Sequence, residues 1–166
     1  NLISTPTAGT GAGTAGFRST GKSDRYGFDI YYNHDPIGFT YEQVEGRDDT
    51  LTGTAQIATT KLGNEVKSRG QTFTAFYTWG EQWVKSFKGQ AKYDDWWPTS
   101  FQSFVRWDRW DPNRDVGNDE TTIWTAGLNV FFAETTKLQI NLNQYRYGNP
   151  AQKTNNELLA QFQYGF

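Results

Sequence analysis

The sequence predicts an all-β chain, an antiparallel up-and-down meander without a helix of any length. Two observations predict it. Apolar and polar residues alternate with a period of two over most of the chain, the pattern of strands with unlike faces. Aromatic side chains, which favour a pleated sheet, are abundant: 12 Phe, 9 Tyr and 7 Trp make up 17% of the 166 residues. An apolar content of only 36% and a mean hydropathy of -0.77 would suit a disordered chain, but disordered chains are poor in aromatics. With no Cys and a formal net charge of -2, disulfide scaffolds, thiolate metal sites and Cys nucleophiles are excluded. The same charge balance argues against nucleic-acid binding through a basic excess.

Residues 1–23 form a Gly/Thr-rich arm or loop, with a weak strand at Ala15–Ser19 as a candidate. From Arg25 to Asn33, Tyr26, Phe28, Ile30 and Tyr32 share one face. His34-Asp35-Pro36 is a short turn, and Ile37, Phe39 and Tyr41 complete a hairpin. Gly46 to Lys67 is polar and glycine-punctuated, predicting a long loop with at most a short strand at Ala55–Thr60. A third strand places Phe73, Ala75, Tyr77 and Trp79 opposite Thr72, Thr74, Phe76 and Thr78. Gly80 to Pro98 allows either a strand, with Trp83, Lys85 and Phe87 on one face, or an irregular connection.

Ser103, Val105 and Trp107 then alternate with Gln102, Phe104, Arg106 and Asp108, and a polar loop runs from Asp111 to Asp119. Trp124 to Phe132 gives the next strand, Ala133 to Thr136 a four-residue turn, and Leu138, Ile140 and Leu142 the strand after it. The last strand alternates from Glu157 to Phe166. Seven strands are clear, and Ala15–Ser19 would supply an eighth.

Alternation alone does not say which face meets water. In a soluble sandwich the apolar face is the core; in a membrane barrel it faces lipid and the polar face lines a wet lumen. Three features favour a transmembrane β-barrel. Several strands reach the roughly 9–11 residues that cross a bilayer when tilted. Aromatics such as Trp79, Trp107, Trp124, Phe132 and Phe166 sit at strand ends, where interfacial girdles lie. Tight turns alternate with long polar loops, the asymmetry of outer-membrane barrels. No stretch approaches a transmembrane helix. The absence of an N-terminal Met or signal pattern suggests a mature or trimmed chain.

The terminal run Phe162-Gln163-Tyr164-Gly165-Phe166 has aromatics at every second position. It resembles the closing-strand signature of bacterial outer-membrane barrels, which the barrel-assembly machinery recognises. Phe104-Val105-Arg106-Trp107-Asp108-Arg109-Trp110-Asp111-Pro112-Asn113 and Ala126-Gly127-Leu128-Asn129-Val130-Phe131-Phe132 resemble strands of the phosphate-selective porin O/P-like family. Leu138 to Tyr147 and Glu157 to Phe166 are similar to its last hairpin, and Gly27 to Val44 also fits. The resemblance covers roughly the last 70 residues well and earlier ones more loosely. It implies the C-terminal half of a 16-stranded, homotrimeric porin in the outer membrane of a Gram-negative-type bacterium, in contact with outer-membrane lipids and lipopolysaccharide. A complete eight-stranded barrel is the alternative.

On this reading the pore-lining residues are Arg25, Asp29, Glu42, Thr72, Thr74, Arg106, Asp108, Asn129, Gln139, Asn141, Asn143, Glu157, Gln161 and Gln163. Lipid-facing or girdle residues are Tyr26, Phe28, Phe39, Tyr41, Tyr77, Trp79, Trp107, Trp124, Phe132, Phe162, Tyr164 and Phe166. Phosphate-selective members use a basic ladder, whereas this set is mixed and slightly acidic, so the departure argues against an anion as substrate. Amides and hydroxyls suit passive diffusion of small hydrophilic solutes or ions. A structural barrel without an open pore, and a soluble carbohydrate-binding β-sandwich, are the alternatives.

Asp111, Asp115 and Asp119 give alternate carboxylates in the loop, a weak calcium pattern lacking the hand-type Gly and Glu positions; a solvated loop is favoured. With His34 as its one histidine, the chain assembles neither a Ser/His/Asp triad nor a zinc site. Adjacent pairs such as Asp48-Asp49 and Asp94-Asp95 point to opposite faces of a strand and are poor acid/base couples. An enzyme is not expected, nor is a cofactor beyond calcium.

Overall fold

A computed structural model of the chain describes residues 22–52, 61–80, 98, 100–133 and 136–164. It is all-β: β1 (Ser23–His34), β2 (Ile37–Thr52), β3 (Lys61–Gly80), β4 (Ser100–Asp111), β5 (Thr121–Ala133), β6 (Thr136–Tyr147) and β7 (Asn155–Gln163). Each strand pairs antiparallel with the next, giving one seven-stranded sheet in the order β1-β2-β3-β4-β5-β6-β7. The sheet is open, with β1 and β7 as its edges. No helix among the described residues is long and apolar enough to cross a membrane.

Alternation fixes the register. Rows of directly opposed residues run across the sheet, and each row is apolar on one face and mostly polar on the next. Tyr32, Phe39, Ala75, Val105, Ala126, Leu142 and Leu158 make one such apolar row. A one-residue slip of any strand would set its polar residues among these. Ring contacts tie the apolar face across strands: Tyr32 with Phe39 at 5.4 Å, Phe39 with Phe73 at 6.5 Å and Trp79 with Phe101 at 5.6 Å between centroids. Such cross-strand pairs are each worth roughly 0.2–1 kcal/mol.

The two-residue Asp35-Pro36 turn contains a cis peptide bond, and the Pro36 carbonyl accepts the Thr78 amide at 2.8 Å, tying the turn to β3. Asn118 has φ 67°, the left-handed conformation that Asn tolerates in a loop.

Several sequence expectations are corrected. The long loop expected from Gly46 to Lys67 is mostly strand, because β2 continues to Thr52 and β3 begins at Lys61. These residues still alternate, but both faces are polar, so the hydrophobic signal vanishes while the ladder persists. Ser23 is already in β1. Across the expected four-residue turn Ala133 pairs with Thr136, after a register shift between Phe131 and Ala133. The last strand begins at Asn155 and ends at Gln163, leaving Tyr164 beyond it. The candidate strands Ala15–Ser19 and Ala55–Thr60, the stretch containing Trp83, Lys85 and Phe87, and Phe166 lie outside the described residues.

Candidate functional site

The two faces differ chemically and in packing. On the apolar face large side chains lie open with no second layer of the described chain over them: Leu158 is 73% exposed, Phe162 62%, Leu142 56% and Ile30 54%. On the polar face Asn129 and Asn143 are only 7% and 9% exposed. Its glycines admit close neighbours. The Phe76 ring lies where a Cβ on Gly38 would sit, and the Phe104 ring does the same at Gly127. Each glycine is directly opposite its phenylalanine in the ladder, so an aromatic covers backbone that a side chain would otherwise shield.

All fourteen residues expected to line a lumen lie on the polar face. Asp29, Glu42, Thr72 and Asp108 form one row across β1 to β4. The next row contains Thr74, Arg106, Asn143 and Glu157. Asn141 lies one row further, Asn129, Gln139 and Gln161 share the row after it, and Gln163 follows. Arg25 stands at the opposite end, beside Gly46.

The polar side chains are bonded to one another. Asp108 takes the Arg106 guanidinium, with Nε at 2.9 and 2.8 Å from its two oxygens, and accepts the Thr72 hydroxyl at 2.8 Å. Asn143 accepts from Thr125 at 2.9 Å and donates to Glu157 at 2.9 Å, and Glu157 also accepts the Tyr145 hydroxyl at 2.9 Å. Asn129 donates to Gln102 at 2.9 Å. Arg25 pairs with Asp48 at 2.7 Å. The Arg25 guanidinium, followed by the Ser23 hydroxyl, holds the Asp48 carboxyl below its ordinary range.

With Arg25–Asp48 and Arg106–Asp108 neutralising each other, Asp29, Glu42 and Glu157 stand against Lys137 on this face. Among the described residues this surface is polar, closely hydrogen-bonded and mildly acidic.

Of the residues expected to be lipid-facing, ten occupy the other face, Tyr164 lies beyond the end of β7 and Phe166 lies outside the described residues. Tyr26, Phe28, Phe39, Tyr41, Tyr77, Trp79, Trp107, Trp124 and Phe162 follow its register. Phe132 joins them through an edge-on contact with Phe162 at 6.4 Å. Along β5 the band runs from Trp124 to Phe132, eight rises of ~3.4 Å. At a tilt of ~40° this is ~21 Å of height, close to the ~25 Å apolar band of outer-membrane barrels.

Beyond this band, on the same face, lies a charged cluster that sequence reasoning missed. Glu45, 9% exposed, accepts from the Tyr26 hydroxyl, from Arg69 Nε at 2.9 Å, from Gln43 at 3.2 Å and from Arg114 at 3.3 Å. Arg47 lies over the Tyr26 ring, 5.5 Å from its centroid. The Arg114 amide also donates to the Lys67 carbonyl at 2.8 Å. Glu45 thus joins β1, β2, β3 and the loop after β4. The only signal was the unbroken parity from Tyr41 through Gln43 to Glu45.

Among the described residues no three His, Cys, Asp or Glu side chains are placed to hold a metal ion. Asp115 is exposed, with its amide donating to Asn113 Oδ1 at 3.1 Å in an Asx turn. Asp111 and Asp119 are half-buried. His34 ends β1 and stacks on Tyr32.

Comparison with known proteins finds no matching family model, no matching curated protein and no matching solved structure.

Proposed function

We propose that this chain forms part of an outer-membrane porin, a transmembrane β-barrel through whose wet lumen small hydrophilic solutes or ions diffuse passively. The observation that carries the reading is the inverted burial of the sheet. Its apolar face is broad, aromatic and uncovered by any described residue, while the buried amides Asn129 and Asn143 lie on its polar face. In water such a face would be an aggregation liability; in a bilayer it is the solvated face. Lengths of 9 to 20 residues per strand support it, because the shortest still reaches the tilted span of a bilayer.

Seven strands fit the C-terminal part of a larger barrel, of about 16 strands by the family resemblance, assembled as a homotrimer in a Gram-negative-type outer membrane. The closing run toward Phe166 would engage the barrel-assembly machinery. Bonded amides and hydroxyls and near-balanced charge suit unspecific diffusion rather than catalysis or anion capture.

Planar-bilayer conductance of the purified full chain tests the reading. Stepwise, ohmic conductance supports an open diffusion pore. A membrane-inserted but electrically silent protein would make it a structural barrel, and a protein soluble without detergent would overturn the membrane assignment. The intact mass decides the remaining arm: about twice 19.0 kDa is expected for the large barrel, whereas 19.0 kDa would leave a small one.

A further inference from the structure

Seven arginines lie among the described residues, and most are engaged. Arg25 is paired with Asp48, Arg69 and Arg114 with Glu45, and Arg106 with Asp108; Arg47 is held at Tyr26. Arg109 and Arg146 differ: both are exposed and neither forms an ion pair. Arg146 donates Nε to Gln144 Oε1 at 2.9 Å. That bond turns its side chain along β6 toward the apolar rows, and its two terminal NH2 groups stay available.

The register places these two arginines in one row. Arg109 is opposite Thr122, and Thr122 is opposite Arg146, so the guanidinium-bearing strands flank a hydroxyl. With strands ~4.8 Å apart, the two Cα positions are ~10 Å apart, a gap two arginines can close onto one anion. The adjacent row is Trp107, Trp124 and Gln144, and the row after it Val105, Ala126, Leu142 and Leu158. Cation pair, tryptophan pair and aliphatic surface therefore follow in order along the apolar face. On the side away from the tryptophans the next row holds Asp111, and among the described residues no salt bridge joins it to either arginine.

We propose that Arg109, Thr122 and Arg146 bind the phosphate of an anionic lipid headgroup, whose acyl chains lie over Trp107, Trp124 and the aliphatic row below. The guanidinium fork matches phosphate oxygens, Thr122 supplies a hydroxyl donor, and the tryptophans occupy the interfacial depth at which a headgroup meets its chains. A free anion would use only the cations; a lipid uses all three layers, and that commits the site to lipid. The proposal rests on the membrane reading of the apolar face.

The test is quenching of tryptophan fluorescence in vesicles holding the full chain, with acyl-brominated phosphatidic acid compared with acyl-brominated phosphatidylcholine. Preference for phosphatidic acid is expected in the unaltered protein. It should fall about fivefold for R109Q or R146Q and about thirtyfold for the double variant. R109K/R146K, which keeps the charge and loses the fork, should keep only part of the preference, and Lys153→Gln, which removes an equal charge from an exposed connection, should keep all of it.

Quenching by both lipids without preference, or a preference untouched by the double variant, would overturn the site and leave the membrane reading intact. No quenching by either lipid would overturn both. Release of phosphatidic acid by millimolar inorganic phosphate would show a free-anion site and overturn the lipid assignment.

Discussion

Ile140 and Gln139 are neighbours on β6 with side chains on opposite faces, and they give a decisive comparison. Ile140 is opposite Leu128, midway between Trp124 and Phe132 along β5. Four rises of ~3.4 Å at a tilt of ~40° put it ~10 Å from either aromatic level, at the middle of the apolar band. An arginine there costs ~2–4 kcal/mol if the face meets lipid, about 30- to 700-fold in the folding equilibrium at ~1.4 kcal/mol per decade.

Gln139 donates a hydrogen bond to Asn141 at 3.3 Å, and an arginine could still donate it, so Gln139→Arg is expected within ~0.5 kcal/mol of the unaltered chain. The assay is denaturant unfolding of the full chain from lipid vesicles, followed by tryptophan fluorescence. In water the two positions would respond alike, since Ile140 is already 39% exposed. Ile140→Arg and Gln139→Arg unfolding within ~0.5 kcal/mol of each other would refute the assignment of the apolar face to lipid.

Three further outcomes are expected. Gly127→Val pushes a side chain into the space of the Phe104 ring and should cost ~1–3 kcal/mol; Phe104→Ala in the same chain should recover part of the loss, which a double-mutant cycle by denaturant unfolding measures. Asp48, held below its ordinary range by Arg25, contributes stability that is present above ~3.9 and lost as pH falls through its lower folded value. Exchange of the Asp49 amide, which donates to the Lys22 carbonyl at 3.0 Å, should therefore quicken only below about pH 4, and Asp48→Asn should abolish that pH step. In a pore lined by this polar face, reversal potentials under a salt gradient should show weak cation preference, and Asp29→Asn with Glu42→Gln should move it toward zero.

The legible part of the fold was the part with two chemically different faces. β5 and β6 declared themselves because Trp124, Ala126, Leu128 and Val130 alternate with Thr125, Gly127 and Asn129, so period and polarity agree. The outer halves of β2 and β3 were not legible because Glu45, Arg47 and Asp49 alternate with Gly46 and Asp48, polar against polar. A strand with polar residues on both faces keeps its backbone ladder and loses its hydrophobic period.

The polar row of Asp29, Glu42, Thr72 and Asp108 followed from parity alone. The bonds within it did not, because whether Arg106 turns to Asp108 along its own strand or to a neighbour depends on side-chain geometry. Glu45 was missed for a related reason: its partner Arg114 is 69 residues away, a separation no local pattern encodes.

The hairpin of β2 and β3 overshoots its neighbours. β1 stops pairing at Ser23 with Asp48 and β4 at Asp111 with Arg69, while β2 and β3 continue to Thr52 and Lys61. At the root of this overhang Glu45 joins the strands, and just beyond it the register shifts between Asp49 and Leu51. In an unbroken ladder, an inserted residue reverses every side chain beyond it. Here a change of length in the overhang meets an irregular step and then a cross-braced ion cluster before it reaches the first row of the band. The overhanging hairpin can therefore change in length or sequence as a unit, with selection on it separated from selection on the sheet it extends.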